Sequence, residues 1–155
     1  MTDLSPPHPA TGYLQGSWHI LPLRVYYEDT DAAGIVYHAA YLHYAERGRT
    51  EAMRLCGLNH GRLAKEQGLH FAVHRCEIDY HRPARLDDAL EVRTQIATMG
   101  GASFTVHQTI HRQDKILANL TIRLVCIDGQ GHAVRLPLPL REALRVMYAE
   151  PLLGN

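Results

Sequence analysis

Glu28-Asp29-Thr30-Asp31-Ala32-Ala33-Gly34-Ile35-Val36-Tyr37-His38 separates two segments of different periodicity. Before it, residues 19–28 place Leu21, Leu23, Val25 and Tyr27 on one alternating face, the pattern of a half-buried strand, with Pro22 near its start. After it, residues 38–56 contain no proline. Leu42, Ala45, Arg49, Ala52 and Cys56 recur there at helical spacing, and Gly57 follows as a stop. A helix of that length would run about 28 Å at 1.5 Å per residue. A long helix is therefore expected directly behind a short acidic turn.

Downstream, Asn59 can cap a short helix over residues 59–67 that ends at Gly68. The chain then alternates like strand. Residues 71–80 are closed by Pro83, and Leu90, Val92, Thr94 and Ile96 alternate with polar neighbours. Gly100 and Gly101 make a turn, after which Phe104, Val106, Gln108 and Ile110 share a face. Gln113 to Lys115 make another turn before a run with Ile116, Ala118, Leu120, Ile122, Leu124 and Cys126 on one side. Residues 140–148 suit a terminal helix. Tight turns imply antiparallel neighbours, and a half-apolar sheet needs a cover. The expectation is an α+β fold, an antiparallel sheet wrapped around one long central helix. Long edge strands call for pairing, so a dimer that continues the sheet is expected as well.

The chain has 155 residues, which suits one domain. We place that domain at residues 18–148, between a poorly ordered, proline-containing extension at residues 1–17 and a tail at 149–155. Sixteen basic side chains balance sixteen acidic ones, which removes the broad electrostatic reason to expect nucleic acid or an anionic membrane as partner. No window approaches the ~20 apolar residues of a membrane span, and the start lacks the pattern of a signal peptide. Cys56, Cys76 and Cys126 are too few and too far apart for a C-x-x-C site or a disulfide framework. A cytoplasmic protein is expected.

The acidic turn is where chemistry concentrates. D-x-D-x-x-G resembles the opening of a calcium loop, but Ala33 and Ala40 stand where its fifth and twelfth ligands belong. A transition-metal site would draw on Asp29, Asp31, His38 and His43, yet His38 and His43 are five residues apart and fall on different helix faces. No metal is expected. Nor is there a G-x-S-x-G elbow, a phosphate-binding glycine loop or a dinucleotide fingerprint. Two readings remain open on spacing alone. A helix N-terminus offers unpaired N–H groups to a developing oxyanion, and a carboxylate in the preceding turn can move a proton or attack a carbonyl. Alternatively, Asp29, Thr30 and Asp31 cap the turn and the helix.

The string R-V-Y-Y-E-D-T-D-A-A-G-I-V-Y-H-A-A-Y-L-H-Y-A-E-R-G-R-T-E, from Arg24 to Glu51, resembles the signature of the hotdog-fold acyl-CoA thioesterases. It is most similar to the Tol-Pal-associated branch of the 4-hydroxybenzoyl-CoA thioesterase relatives. The likeness continues through D-Y-H-R-P-A-R-L-D-D, from Asp79, and L-V-C-I-D, from Leu124. The resemblance implies hydrolysis of acyl-CoA thioesters to a carboxylic acid and free CoA, with no cofactor, in a homodimer or homotetramer. It puts the catalytic aspartate on Asp31, as general base or as nucleophile through a mixed anhydride. It puts the carbonyl-polarising N–H on His38, whose side chain orients Asp31 or lines the pocket. Tyr27, Gly34, Val36 and Tyr37 are the implied substrate-binding residues, and Glu46 is expected to pair with a helix arginine. Many relatives carry a basic residue for CoA phosphates where this chain has Gly100 and Gly101. That leaves Arg82, Arg85 or a second subunit's arginine for the role, and acyl carrier protein as an alternative carrier. The competing expectation is a non-catalytic hotdog module that binds acyl groups or acyl carrier protein.

Overall fold

A computed structural model describes residues 9–149. Its strands are β1 (Tyr13–Gln15), β2 (Trp18–Arg24), β3 (His70–Tyr80), β4 (Ala89–Met99), β5 (Ser103–Arg112) and β6 (Lys115–Ile127). The helices are α1 (Ala40–Leu55), α2 (His60–Gln67) and α3 (Leu138–Leu144). All strand pairs are antiparallel, in the order β1-β2-β4-β5-β6-β3. This is the expected α+β hotdog arrangement, a sheet wrapped around the long helix.

The glycine turn at residues 100–101, the tight turn at Gln113 and the alternation of β4, β5 and β6 produce a meander, as tight turns dictate. β3 departs from that rule. Its continuation, residues 81–88, crosses from one edge of the sheet to the middle, so β3 pairs with β6 and β4 pairs with β2. The crossing segment is laced down by backbone hydrogen bonds: His81 N–H to Leu117 O (2.8 Å), Val36 N–H to Ala84 O (2.8 Å) and Val25 N–H to Asp88 O (2.9 Å). Arg112 clamps its end through Asp88 (2.8 Å) and the Pro83 carbonyl (3.1 Å).

α1 presents Tyr41, Tyr44, Ala45, Gly48, Ala52 and Met53 to the sheet. Leu90, Val92 and Ile96 of β4 meet them, with Phe104, Val106 and Ile110 of β5 and Leu120, Ile122 and Leu124 of β6. Gly48 sets the distance. A methyl group placed there would lie 2.5 Å from Val92 Cγ1 and 3.1 Å from Gln108 Nε2. Gln108 is fully buried and fully engaged. Its amide donates to Ala45 O (2.9 Å) and to Thr94 Oγ1 (2.9 Å), while its carbonyl oxygen accepts from Arg49 (2.9 Å). Arg49 in turn pairs with Glu46 on the solvent side of the helix, as expected. A polar residue on the apolar face of β5 is thus the seat of the helix.

Several expectations shift by a few residues. α1 begins at Ala40 rather than His38, because His38 and Ala39 form the turn that leads into it. Leu42 is 40% exposed, since Tyr41 and Tyr44 take the inner face instead. Ile116 is also exposed. A register shift beside it, between Ile110 and His111, pairs Ile116 with His111 on the outer face. The strand 19–28 ends at Arg24, and Tyr27–Asp29 form a 3-10 turn.

The extension placed at residues 1–17 is ordered in its second half. β1 folds back on β2, and the buried His19 ring holds the arm through the Thr11 carbonyl (2.6 Å). Burial lowers the His19 pKa, so this contact is made by a neutral ring. At the other end, Ala149 N–H donates to Ile96 O (2.9 Å). Residues 1–8 and 150–155 of the expected extension and tail lie outside the described residues.

Two stability tests follow from these contacts. Gly48→Ala gains helix propensity worth up to ~1 kcal/mol, but overpacking against Val92 costs ~1–3 kcal/mol. Net destabilisation in urea unfolding is expected, and a smaller loss when the same change is made on a Val92→Ala background. Burial works to raise the Asp88 pKa, but the Arg85 N–H and the Arg112 guanidinium outweigh it and hold the carboxyl below the usual carboxylate range. Its stabilising share is therefore present above the unfolded-state pKa and lost as pH falls through the folded-state value. Asp88→Asn should melt lower than the parent at pH 7, and the two melting curves should converge towards pH 3.

Candidate active site

The acidic turn folds around its own main chain. Asp31 N–H donates to Ile35 O (2.9 Å) and Gly34 N–H to Asp31 O (3.0 Å), a tight loop that closes with Gly34 at a φ of 80°, where glycine carries no Cβ penalty. Thr30 bridges Val36, and Ile35 bridges Arg85 of the crossing segment. Upstream, the Asp29 carboxylate accepts from Tyr26 N–H (2.8 Å), and its carbonyl accepts from Tyr37 N–H (2.8 Å). Asp29 is thus a clamp of the turn, the role that capping offered it.

Asp31 is held differently. Its Oδ1 accepts from Ala33 N–H (2.9 Å), which fixes the carboxylate plane. Its Oδ2 meets no hydrogen-bond donor among the described residues. Asp31 lines a cleft of about 370 Å³ together with Ile35, Val36, His38, Tyr41, Tyr80, His81, Arg82 and Pro83. The volume is within the range of small-molecule sites.

His38, at the entrance to α1, lines the same cleft. Ala40 N–H is taken by Tyr37 O (2.8 Å), whereas the N–H groups of His38 and Ala39 find no acceptor among the described residues. Tyr80, at the end of β3, donates its hydroxyl to His38 O (2.8 Å) and so braces this turn from the edge of the sheet. Tyr41 accepts from Ala84 N–H (3.0 Å) and packs edge-on against Tyr80, with ring centroids 5.4 Å apart. Burial pushes both phenols up, for Tyr41 against the opposing Ala84 N–H, so both keep their protons at neutral pH. Tyr44, one turn deeper, is pushed up further by burial and by the Asp29 carboxylate, although its hydroxyl makes no hydrogen bond of proper geometry with a described residue.

Of the residues implied by resemblance, the structure brings Asp31, His38 and Val36 into the cleft and leaves three outside its lining. Gly34 shapes the loop. Tyr37 packs at a tilt against the His38 ring, with centroids 4.4 Å apart. Tyr27 is 82% exposed, with its carbonyl accepting from Thr30. No hydrogen bond joins the His38 ring to Asp31. Tyr41, Tyr80, His81 and Pro83 had been given no role. Their signal lay in the resembling stretch from Asp79, whose proline break marked only the end of a strand. Among the described residues no three His, Cys, Asp or Glu side chains converge as metal ligands, and no helix is long and apolar enough to cross a membrane.

Comparison with known proteins places these features in a family. Residues 25–145 match the model of the thioesterase-like superfamily. The chain is 42% identical over 123 residues to an acyl-CoA thioesterase, YbgC, of Haemophilus influenzae, covering 79% of this chain and 90% of that one. It is 44% identical over 108 residues to an acyl-CoA thioester hydrolase, YbgC, of Escherichia coli O6:H1, covering 69% and 80%. Among solved structures it is similar to a probable thioesterase from Bartonella henselae, with a TM-score of 0.74, 38% identity and coverage of 77% and 99%. The turn at Asp31, the helix entrance behind it and the crossing segment all fall inside the matched region, and the chain belongs to the thioesterase-like superfamily, as a thioesterase of the hotdog fold.

Proposed function

We propose that this thioesterase hydrolyses acyl-CoA thioesters to a carboxylic acid and free CoA, with Asp31 and the His38 N–H as its reacting and polarising groups. The observation that carries this reading is one cleft lined by both Asp31, whose Oδ2 has no described donor, and His38, whose N–H at the entrance of α1 has no described acceptor. The names of the relatives from Haemophilus influenzae and Escherichia coli support CoA as carrier.

A thioester carbonyl bound with its oxygen towards His38 N–H gains negative charge on that oxygen as a nucleophile adds. Preorganised donors are worth most at that point. Asp31 can act through Oδ2 in two ways. As a general base it takes a proton from water, whose oxygen forms the new C–O bond, and the C–S bond then breaks to release the CoA thiolate. As a nucleophile it forms a mixed anhydride with loss of the thiolate, and water then cleaves the anhydride to return the carboxylate. The bond from Ala33 N–H to Oδ1 aims the carboxylate in either route. Tyr80 fixes the turn that presents the N–H groups. The His38 ring, Val36 and Tyr41 wall the site.

The open edge of β3, an eleven-residue strand at the end of the sheet with Val73 half exposed, supports a dimer in which two sheets join, and pairs of such dimers as tetramers. The free cysteines Cys56, Cys76 and Cys126 support a cytoplasmic setting. Acyl carrier protein remains the competing carrier.

Thiol release from a panel of short- to long-chain acyl-CoAs tests the reaction and identifies the preferred acyl group. Asp31→Asn should lower kcat by about 10²–10⁴-fold, the usual share of a general base, with an unchanged melting temperature. Full activity in that variant would remove Asp31 from the mechanism. Binding of acyl-CoA by the parent protein without any thiol release would place it among non-catalytic acyl-binding modules. Tyr80→Phe should lower kcat several-fold with little change in KM, since about 1 kcal/mol of positioning is lost with the hydrogen bond to His38 O.

A further inference from the structure

The cleft contains one cation that neither its fold nor its chemistry has used. Among the arginines and lysines, Arg82 is the one that lines the cleft with Asp31 and His38. Its guanidinium makes no hydrogen bond or ion pair with any described residue. The neighbouring polar groups are committed. Arg112 is held by Asp88 and the Pro83 carbonyl, and His81 Nε2 is held by the Asn119 amide (2.9 Å). Arg85 is bridged through its main chain to Ile35 and lies outside the lining.

The backbone that carries Arg82 is also fixed. Arg82 N–H donates to Leu117 O (3.2 Å), next to His81 N–H on the same acceptor (2.8 Å). Pro83 restricts the residue before it to extended conformations. An exposed guanidinium with no described partner is therefore carried on a hydrogen-bonded stretch of main chain that lines a site whose other charge is a carboxylate. The chain as a whole carries no net charge and supplies no general attraction for an anion. A local cation must do so. Guanidinium groups suit phosphate, which they bind through two parallel charge-assisted hydrogen bonds.

We propose that Arg82 is a substrate-specificity residue, the contact for a phosphate on the carrier arm of the thioester. The inference rests on the thioesterase reading and adds to it the part of the substrate that lies outside the reacting bond. Phosphate could come from the nucleotide half of CoA or from the single phosphate that ends a phosphopantetheine arm, and three substrates separate these sources. The best acyl group from the chain-length panel is presented on CoA, on 4′-phosphopantetheine and on pantetheine, which has no phosphate.

Arg82→Gln should raise KM for acyl-CoA by about five-fold or more, leave kcat and the melting temperature unchanged, and leave acyl-pantetheine unaffected. Arg82→Lys should restore part of the loss, and added salt should raise KM for the parent more than for Arg82→Gln. A parallel rise in KM for acyl-phosphopantetheine assigns the contact to the phosphate nearest the thioester. A rise confined to acyl-CoA assigns it to the nucleotide phosphates. Equal kinetics of parent and Arg82→Gln on all three substrates, or an equal loss on all three, overturns the proposal. Absence of turnover by the parent on every substrate would instead overturn the thioesterase reading, and the proposal with it.

Discussion

The approach of α1 to the sheet at Gly48 is the constraint from which the rest of the architecture follows. With no side chain at that position, the helix axis comes close enough for Val92 and Gln108 to touch its backbone. Gln108 then spends both amide hydrogens on Ala45 and Thr94 and accepts from Arg49 through its oxygen, and fixes the helix along its length as well as in depth. An unsatisfied amide in that position would cost about 1–3 kcal/mol, so the network tolerates one arrangement of helix on strand. Because the seat is fixed, the N-terminal end of α1 is fixed, and with it the turn whose His38 lines the cleft.

A second constraint ties that end of the helix to the sheet margin. The crossing segment between β3 and β4 bonds to Val25, Val36, Leu117 and the Tyr41 hydroxyl. It therefore joins β2, the acidic turn, β6 and α1 within a few residues. The cleft lies under this crossing, and its polar groups come from three stretches that are distant in the chain: the turn at Asp31, the helix entrance at His38 and the end of β3 at Tyr80. Asp29 and Asp31 stand two residues apart and act differently for a local reason. The Asp29 carboxylate is spent on Tyr26 N–H, while Asp31, which lines the cleft, retains one oxygen with no described donor.

Much of this was legible in the sequence, for reasons that differ by element. The alternation in β4, β5 and β6 and the tight turns between them, at Gly100-Gly101 and at Gln113-Asp114, depend on local pattern, and their meander followed. The long helix was legible in existence but its inner face was not. Leu42 has the hydrophobicity of a core residue, yet the face is chosen by Gly48 and Gln108, which hydropathy does not mark. The placement of β3 beside β6 was not legible, because nothing in residues 81–88 shows which edge they will cross. At the site, resemblance supplied Asp31 and His38. It also supplied Tyr27 and Tyr37, whose rings lie outside the cleft in the single chain. Tyr80 needed the fold, and so did the choice between Arg82 and Arg85, since only the crossing brings Tyr80 and Arg82 to the turn fifty residues earlier.

The strand order has a consequence for biosynthesis. β2 has only the three-residue β1 beside it until β4 has been made, and β3 cannot pair until β6 has, so its partner residues end at Ile127. A nascent chain therefore carries α1 and the whole of β3 without their sheet until most of its length has left the ribosome. Non-local pairing of this kind slows folding and leaves strand edges open to wrong partners. The charged outer row of β3, with Arg75, Glu77 and Asp79, is suited to keep that waiting strand soluble until the meander arrives to receive it.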